Sequence, residues 1–250
     1  MRREVIKIKA IIPAAGYATR LYPLTKDTPK ALLEVKGKPI LEHIIKRVLE
    51  LDVKEIYIVT NARFYKNFAE WKNGFSCKVP VKLVNDGTLT NEARLGQIGD
   101  IMLVMEKANI NEDLLVVAGD NLFNFSLKPL YELFRKKRNN MNALHDVKSI
   151  EVARQLGTAT IDKNSKITDF KEKAPNPDST LASTGIYLIP KEKLKLFSEY
   201  IDDGNPPDKM GYFMAWLMKH YELYGFVYKE KWFDIGWLEA LKQTEKEFTP

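Results

Sequence analysis

Apolar residues along the first half of the chain follow two alternating patterns. Short runs rich in β-branched residues predict strands at residues 8–12, 55–60, 81–84 and 114–118. Between these runs, apolar residues recur every three or four positions, which predicts helices. The helical stripes are Leu41, Ile44, Ile45, Val48 and Leu49, with Pro39 as the expected first helical residue; Phe64, Phe68 and Trp71; and Ile98, Ile101, Met102 and Met105. Strands that alternate with helices are typical of an α/β domain.

The pattern changes from about residue 141. Shorter strands are predicted at residues 157–162, 166–171, 183–189 and 224–228, and a last helix begins near Trp237. These features favour a more antiparallel second half. No linker rich in Gly, Ser or Pro separates the halves, so we predict one domain over residues 1–250, with lobes at about 1–140 and 141–250. The expected fold is α/β and Rossmann-like, with a mixed, mainly parallel sheet flanked by helices and a smaller second lobe.

The charge of the chain is dispersed. Lys and Arg total 39 and Asp and Glu total 33, which gives a formal charge of +6 without a basic arm. The basic run at residues 135–138 falls at the end of a predicted helix, where cations are stabilised by the macrodipole. We therefore expect a solvated surface that attracts small anions, and no nucleic-acid partner.

Cys77 is the single cysteine of the chain, which excludes an intramolecular disulfide and a cysteine-based zinc site. A reducing cytoplasm fits this composition best. The apolar run near the N-terminus is broken by Pro13, and no stretch reaches the roughly 20 apolar residues of a membrane span, so no membrane partner is expected. The histidines lack metal-ligand spacing and are expected on element surfaces: His43, His145 and His220.

A loop of small residues follows the first predicted strand. It reads Pro13-Ala14-Ala15-Gly16-Tyr17-Ala18-Thr19-Arg20-Leu21-Tyr22-Pro23-Leu24-Thr25, and Pro29-Lys30 comes soon after. Consecutive backbone N–H groups in such a turn can bind an anion, and in a parallel sheet the loop lies at the carboxyl ends of the strands. Arg20 and Lys30 could add positive charge for a polyphosphate. The residues alone also allow an ordinary strand-to-helix connection, and the spacing does not match a P-loop or a dinucleotide fingerprint.

This ordered string closely resembles the signature of the sugar nucleotidyltransferase family, which includes glucose-1-phosphate thymidylyltransferase and mannose-1-phosphate guanylyltransferase. The resemblance implies that the nucleotide is contacted by Ala14, Ala15 and Gly16. It also implies that Arg20 and Lys30 hold the phosphates and serve catalysis. Many family members have Gly where this chain has Ala18.

The resemblance continues through three later motifs and covers nearly the whole chain. These are Gly119-Asp120-Asn121; Gly157 with Glu172-Lys173 and Thr184-Gly185-Ile186-Tyr187; and Trp232-Phe233-Asp234-Ile235-Gly236. The family implies a magnesium ion (Mg2+) bound by Asp120 and Asp234, with Asp120 also catalytic. It implies sugar-phosphate contacts in the second lobe from Asn121, Gly157, Glu172, Lys173 and Tyr187. The family usually has Thr where Trp237 stands here.

The two aspartates also suit magnesium on chemical grounds. Each follows a predicted strand closely, and adjacent strands lie about 5 Å apart, so residues remote in sequence can meet at one ion. Magnesium prefers oxygen ligands and often uses one or two carboxylates with phosphates and water. The implied reaction transfers a nucleoside monophosphate from a nucleoside triphosphate to a sugar 1-phosphate and releases pyrophosphate.

Residues 85–99 follow the third strand at the same sheet edge and are expected to read the base, with Asn85 and Gly96 as nucleotide-binding residues. This segment partly resembles the Glu-x-x-Pro-Leu-Gly-Thr-Ala-Gly string of guanylyl and uridylyl enzymes, but differs at Arg94, Gln97 and Ile98. The base therefore stays open. Two alternatives also stay open: a cytidylyltransferase acting on phosphocholine or another small phosphate, and a catalytically silent regulatory relative. A homo-oligomer is compatible with the sequence.

Overall fold

The computed structural model describes residues 8–250. Its strands are β1 (Ile8–Pro13), β2 (Glu34–Val35), β3 (Lys38–Pro39), β4 (Val53–Thr60), β5 (Val81–Asn85), β6 (Asp113–Val117), β7 (Asn121–Phe123), β8 (Asn140–Asp146), β9 (Gly157–Ile161), β10 (Ile167–Glu172), β11 (Leu181–Ile189), β12 (Leu223–Tyr228) and β13 (Trp232–Asp234). Its helices are α1 (Ile40–Val48), α2 (Tyr65–Gly74), α3 (Gly96–Lys107), α4 (Lys128–Lys137), α5 (Ile150–Ala153), α6 (Leu196–Asp202), α7 (Met210–His220) and α8 (Leu238–Glu247). Within residues 8–250, every helix is too short or too polar to cross a bilayer.

One nine-stranded sheet contains strands from both halves of the chain. Its main path is β10-β9-β11-β6-β1-β4-β5, and β8 pairs with both β11 and β12. The pairs β1–β4, β1–β6 and β4–β5 are parallel, whereas β11 runs antiparallel to β6, β8 and β9. The predicted α/β class and the more antiparallel second half are therefore confirmed.

Apolar residues on the two faces of the sheet build two core layers. On β1, Ile8 and Ile12 belong to one layer and Ile11 to the other, as the alternation of side chains along a strand requires. Helices α1, α2 and α4 pack on the first layer, and α3, α6 and α7 on the second. Complete burial of an Ile side chain such as Ile12 contributes roughly 1.5–3 kcal/mol, so this alternation is strongly stabilised.

Strands β7, β8 and β13 were not predicted from the sequence. In β8 the apolar residues Met141 and Ala143 alternate with Asn140 and Asn142, and all of these side chains are buried. The carboxamides interrupt the hydrophobic pattern that marks a buried strand, which conceals β8. Strands β7 and β13 span only 3 residues each, too few for a periodic signal.

Two local predictions were wrong. Pro39 precedes α1 as an extended residue and is not its first helical residue. His43 does not lie on the surface of that helix: it is buried, and its Nε2 lies 2.8 Å from the carbonyl oxygen of Val35. Helix α1 is covered on both sides at this point, because the ring of Phe248 packs edge-on against His43. An amphipathic pattern cannot reveal such a second contact.

The basic run at residues 135–138 lies at the end of α4, as predicted. Arg138 adopts a left-handed conformation just after the helix and pairs with Asp113 at 2.5 Å and with Glu192 at 3.0 Å. The Nζ of Lys137 lies 4.4 Å from the ring centroid of Tyr224. These side chains therefore contact neighbouring strands and loops of the same molecule.

Candidate functional site

The loop after β1 starts at the carboxyl ends of three parallel strands. The N–H of Ala14 donates to the carbonyl oxygen of Val59 on β4 at 2.8 Å, and the side chain of Asn61 donates to the carbonyl oxygen of Ala15 at 2.7 Å. The N–H of Gly119, which follows β6, donates to the carbonyl oxygen of Pro13 at 3.0 Å. These hydrogen bonds fix the loop against β4 and β6 at the sheet edge where α/β proteins bind ligands.

Ala18 in this loop has a φ angle of 47° and lies in the left-handed region. Glycine adopts this conformation freely, whereas an alanine is strained there. The glycine that the family resemblance implies at this position would adopt this conformation without strain. Here the hydroxyl of Thr25 donates to the carbonyl oxygen of Ala18 at 2.8 Å, which holds the strained turn in place.

The antiparallel pair β7–β13 brings the two predicted metal-binding aspartates together. Asp234 on β13 lies directly opposite Asn121 on β7, so it is a neighbour of Asp120. Burial and, next, the charge of Asp120 raise the pKa of Asp234, while the charges of Lys30, Lys173 and Arg20 oppose this shift. Residues separated by more than 100 positions in the sequence therefore meet at one place.

A cavity of about 560 Å³, the loop cavity, opens beside these carboxylates. Its lining includes the first loop, Lys30, Asp120 and Asp234 together with the cations Arg20, Lys173, Arg94 and Lys209. The Nζ of Lys30 lies 3.0 Å from Oδ2 of Asp120. Such a concentration of cations around two carboxylates suits a polyphosphate that is accompanied by a divalent cation.

Arg94 and Lys209 were not predicted as site residues. In the sequence, Arg94 is noted only as a difference from the string of the guanylyl and uridylyl enzymes. In the structure, its Nε lies 3.1 Å from Oδ1 of Asp208. Lys209 lies between Asp208 and α7, and its Nζ is 3.9 Å from Oε1 of Glu172. Arg94 precedes α3 and Lys209 precedes α7, and both segments are remote in sequence from the first loop, so only the folded chain shows that they face one cavity.

A second cavity of about 390 Å³, the inner cavity, adjoins the loop cavity and shares Gly16, Asp120, Lys173 and Asp234 with it. The five predicted sugar-phosphate residues line this cavity: Asn121, Gly157, Glu172, Lys173 and Tyr187. The nucleotide-binding candidates Ala15, Gly16 and Gly96 line it as well. Except for Asn85, the predicted nucleotide and sugar-phosphate residues therefore lie around two adjoining cavities.

The carboxylate of Glu172 lines the inner cavity and lies closely against two glycines. A Cβ on Gly157 would lie 2.8 Å from Oε2 of Glu172, and a Cβ on Gly211 would overlap the Glu172 carboxylate. Burial raises the pKa of Glu172, while Lys209 and Lys173 act in the opposite direction. Gly211 was not singled out from the sequence, because its role depends on a neighbour 39 positions away (211 minus 172).

Tyr187 and Asn121 form the polar wall of the inner cavity. The hydroxyl of Tyr187 lies 3.0 Å from that of Ser183, which itself donates to the side chain of Asn142. Burial raises the pKa of Tyr187, so its hydroxyl stays protonated. Asn121 donates to the carbonyl oxygen of Thr184, and its Oδ1 is buried without a partner among the described residues. These groups can hydrogen-bond a hydroxylated ligand.

The first residues of helix α3, Gly96 and Gln97, also line the inner cavity. Gly96 has a φ angle of 82°, and a Cβ there would lie 2.5 Å from the carbonyl oxygen of Pro207. The N–H groups of Gln97 and Ile98 donate to the carbonyl oxygens of Asp208 and Pro207, each at 2.9 Å. The segment that carries Lys209 is thereby fixed to the start of α3.

Asn85 is placed differently from the other candidates. It ends β5, and its Oδ1 accepts a hydrogen bond from the N–H of Gly87 at 2.8 Å. Asn85 does not appear in the lining of either cavity. Its side chain stabilises the turn that leads into the base-reading segment, and its contact with nucleotide stays a prediction.

Asp120 and Asp234 fit a magnesium ion that binds together with a phosphate. Among residues 8–250, no cluster of three or more His, Cys, Asp or Glu side chains could hold a metal. Magnesium often uses only one or two carboxylates and completes its octahedron with phosphate oxygens and water. The like charge of Asp120 helps to raise the pKa of Asp234, and a cation between the two carboxylates would relieve that repulsion.

Comparison with known proteins identifies relatives over nearly the whole chain. A family model described as nucleotidyl transferase matches residues 9–249. The UTP–glucose-1-phosphate uridylyltransferase AglF of Haloferax volcanii is 29% identical over 185 residues, which are 73% of this chain and 72% of that protein. The bifunctional protein GlmU of Methanocaldococcus jannaschii is 30% identical over 227 residues, which are 91% of this chain and 51% of that protein. The chain thus spans about half the length of several curated relatives.

A solved structure shares the whole architecture. A Bacillus anthracis protein, provisionally assigned as a glucose-1-phosphate thymidylyltransferase, superposes with a TM-score of 0.80 and 26% identity, covering 97% of both chains. A UDP-glucose pyrophosphorylase in complex with UDP-glucose has the same fold, with a TM-score of 0.79 at 22% identity.

Proposed function

Because the chain belongs to the nucleotidyl transferase family, we propose that it transfers a nucleoside monophosphate from a nucleoside triphosphate to a sugar 1-phosphate. The product is a nucleotide sugar, and pyrophosphate is released. The observation that carries this proposal is the meeting of Asp120 and Asp234 with Arg20, Lys30 and Lys173 around one cleft. A phosphoryl-type transfer between two anions requires this combination of fixed positive charge and metal-binding carboxylates.

The proposed step is an in-line displacement at the α-phosphorus of the triphosphate. A phosphate oxygen of the sugar 1-phosphate forms the new P–O bond, and the bond between the α-phosphorus and the bridging oxygen of pyrophosphate breaks. The attacking phosphate is already anionic near neutral pH, so no general base is needed. The protein contributes by holding the two reactants in line, which can account for several kcal/mol of the barrier.

In this proposal, different cations bind the two anionic substrates. Arg20 and Lys30 stabilise the departing pyrophosphate, and Lys173 holds the phosphate of the acceptor. A well-placed fixed donor can stabilise developing charge by about 3 to 4 kcal/mol. The position of Lys173 at both cavities supports its role, because the acceptor phosphate must reach the α-phosphorus where the cavities join.

We propose that Asp120 and Asp234 hold magnesium next to the α-phosphate. The ion would neutralise phosphate charge and orient the phosphate oxygens for displacement. In the structure Lys30 binds Oδ2 of Asp120. Lys30 therefore orients that carboxylate and limits the repulsion between Asp120 and Asp234 when no cation lies between them.

The polar wall of the inner cavity supports a hydroxylated acceptor. Glu172 can accept hydrogen bonds from sugar hydroxyls, and Asn121 and Tyr187 offer further donors and acceptors. The names of AglF and of the Bacillus anthracis protein also refer to glucose 1-phosphate as substrate. For the location we propose the reducing cytoplasm, since Cys77 is the single cysteine.

The proposal is tested by measuring pyrophosphate release from GTP, UTP, dTTP, CTP and ATP, each with several hexose 1-phosphates or phosphocholine, with and without magnesium. We expect release with at least one hexose 1-phosphate and dependence on magnesium. Turnover only with phosphocholine would assign a different acceptor. Nucleotide binding without any turnover would indicate a silent relative.

A further inference from the structure

Gly16 is an exposed residue between two buried neighbours in the first loop. Ala15 is 5% exposed and Tyr17 is 3% exposed, whereas Gly16 is open to solvent and lines both the loop cavity and the inner cavity. The ring of Tyr17 packs against that of Phe64, with centroids 6.2 Å apart, and its hydroxyl lies 3.3 Å from that of Thr88. The chain is therefore anchored directly after Gly16.

The anchor before Gly16 is the carboxamide of Asn61. Asn61 follows β4 and is fully buried. Its Nδ2 donates to the carbonyl oxygen of Ala15 at 2.7 Å, and its Oδ1 accepts a hydrogen bond from the N–H of Phe64 at 2.9 Å. A buried carboxamide that is bonded at both ends cannot rotate without losing a hydrogen bond, so the orientation of Asn61 is fixed.

The direction of the Ala15 carbonyl fixes the direction of the Gly16 N–H. These two groups belong to one planar trans peptide, in which they point in opposite directions. Because the Ala15 oxygen points at the buried Asn61, the Gly16 N–H points away from the protein interior. Within residues 8–250 this N–H donates to no other backbone group, and a Cβ on Gly16 would meet no atom within 4 Å. The N–H is therefore available to a ligand.

The surroundings of this donor suit a phosphate. The loop cavity that Gly16 lines also contains the cations Arg20, Lys30 and Arg94. Phosphate oxygens are strong acceptors for a backbone N–H whose direction is fixed in a turn. A peptide that rotated away from this direction would lose that contact.

We propose that Asn61 is a positioning residue for the reaction. It orients the peptide between Ala15 and Gly16 so that the Gly16 N–H donates to a phosphate oxygen of the nucleoside triphosphate. The inference rests on the proposed function and assigns Asn61 a part in binding its nucleotide substrate.

Two substitutions of Asn61 remove the donor and keep an acceptor for Phe64. In Asn61→Ser and Asn61→Thr the hydroxyl can accept from the N–H of Phe64, as such residues do near helix starts. The hydroxyl lies one bond closer to the main chain, so the donation to Ala15 is lost, and threonine largely retains the volume of the side chain. Asn67→Ser is the matched control, because Asn67 donates at 3.0 Å to the carbonyl oxygen of Asp27, which lines neither cavity.

The first experiment measures triphosphate binding by calorimetry in the presence of magnesium, with whichever of GTP, UTP, dTTP, CTP and ATP the wild type binds most tightly. Both Asn61 variants should raise the Kd at least about tenfold, the effect of one lost hydrogen bond to a charged group. With saturating triphosphate, kcat and the KM for the sugar 1-phosphate should stay within about threefold of the wild type. Asn67→Ser should change each of these values by less than about threefold.

A spectroscopic measurement separates orientation of the peptide from general destabilisation. In protein labelled with ¹⁵N-glycine, the amide signal of Gly16 is identified by its absence in Gly16→Ala. Saturating triphosphate should shift this signal downfield in the wild type and in Asn67→Ser. The signal should stay nearly unchanged in the two Asn61 variants.

Several results would overturn the inference. Folded Asn61 variants with an unchanged triphosphate Kd, or with a Gly16 signal that shifts as in the wild type, remove the positioning role while nucleotidyl transfer stands. Loss of folding in both variants, seen by circular dichroism, would assign Asn61 a purely structural role. The expected rise in Kd without turnover by the wild type contradicts the proposed function and supports the role of Asn61. Absence of triphosphate binding by the wild type contradicts both.

Discussion

Replacing Asp100 with asparagine should stabilise the protein, and the gain should grow as pH rises. Burial, followed by the charge and the hydrogen bond of Asp86, raises the pKa of Asp100 from 3.8 to about 7. Burial also raises the pKa of Asp86. The folded protein therefore keeps a proton on this pair at pH values where the unfolded chain has lost it.

The sign and size of the effect follow from proton linkage. Between pH 3.8 and about 7 the folded state binds one proton more than the unfolded state at Asp100, so the free energy of unfolding decreases as pH rises. Each pH unit in this window lowers it by about 1.4 kcal/mol. From pH 5 to pH 8 the wild type should lose about 3 kcal/mol that Asp100→Asn retains, because an amide does not titrate.

Urea denaturation followed by circular dichroism at pH 5 and pH 8 measures this difference. Wild type, Asp100→Asn and the control Glu106→Gln are compared, since the control changes an exposed acid of the same helix. The stability advantage of Asp100→Asn over the wild type should be larger at pH 8 by about 3 kcal/mol. An advantage that is equal at the two pH values, or a less stable variant at pH 8, would refute the burial argument.

Three further changes test the remaining geometry. Ala18→Gly should raise stability by about 1 kcal/mol in thermal unfolding, because glycine relieves the left-handed strain; a lower melting temperature contradicts this. Gly211→Ala should raise KM for the sugar 1-phosphate at least about tenfold, because the new methyl group displaces Glu172. The control Gly74→Ala should leave KM unchanged, because a Cβ at Gly74 meets open space. Lys30→Ala should lower kcat by about 100-fold or more. It should lower the free energy of unfolding by less than about 1 kcal/mol, because its partner Asp120 is 47% exposed. A large loss of stability with normal kcat would contradict a catalytic role for Lys30.

The fold could be predicted where local pattern and tertiary packing agree. Leu114–Val117 of strand β6 is a continuous apolar run covered on both faces, so its burial is visible in the residues themselves. Strand β8 could not be found in this way, because Asn140 and Asn142 are buried polar residues. Whether an asparagine is buried depends on neighbouring strands, which the local sequence does not specify.

The candidate site could also be predicted only where a local motif marks its residues. Motif order was sufficient to predict that Asp120 and Asp234 meet, but the element that joins them was missed, because the antiparallel pair β7–β13 lies outside the main sheet and is too short to predict. The contributions of Arg94 and Lys209 depend on how the segment at Pro207 docks on α3, which no local motif encodes. The burial of Asp100 was also missed, because a carboxyl on a helix is ordinarily a surface residue.

The central claim is that Asp120 and Asp234 act together at the centre of nucleotidyl transfer. The most direct measurement is ³¹P NMR of the products formed from a triphosphate and a sugar 1-phosphate with magnesium, for wild type, Asp120→Asn, Asp234→Asn and the exposed control Asp52→Asn. We expect the wild type and Asp52→Asn to form nucleotide sugar and pyrophosphate in equal amounts. The two site variants should fold normally and lose at least about 100-fold in rate. Folded site variants that form both products at the wild-type rate would contradict the account.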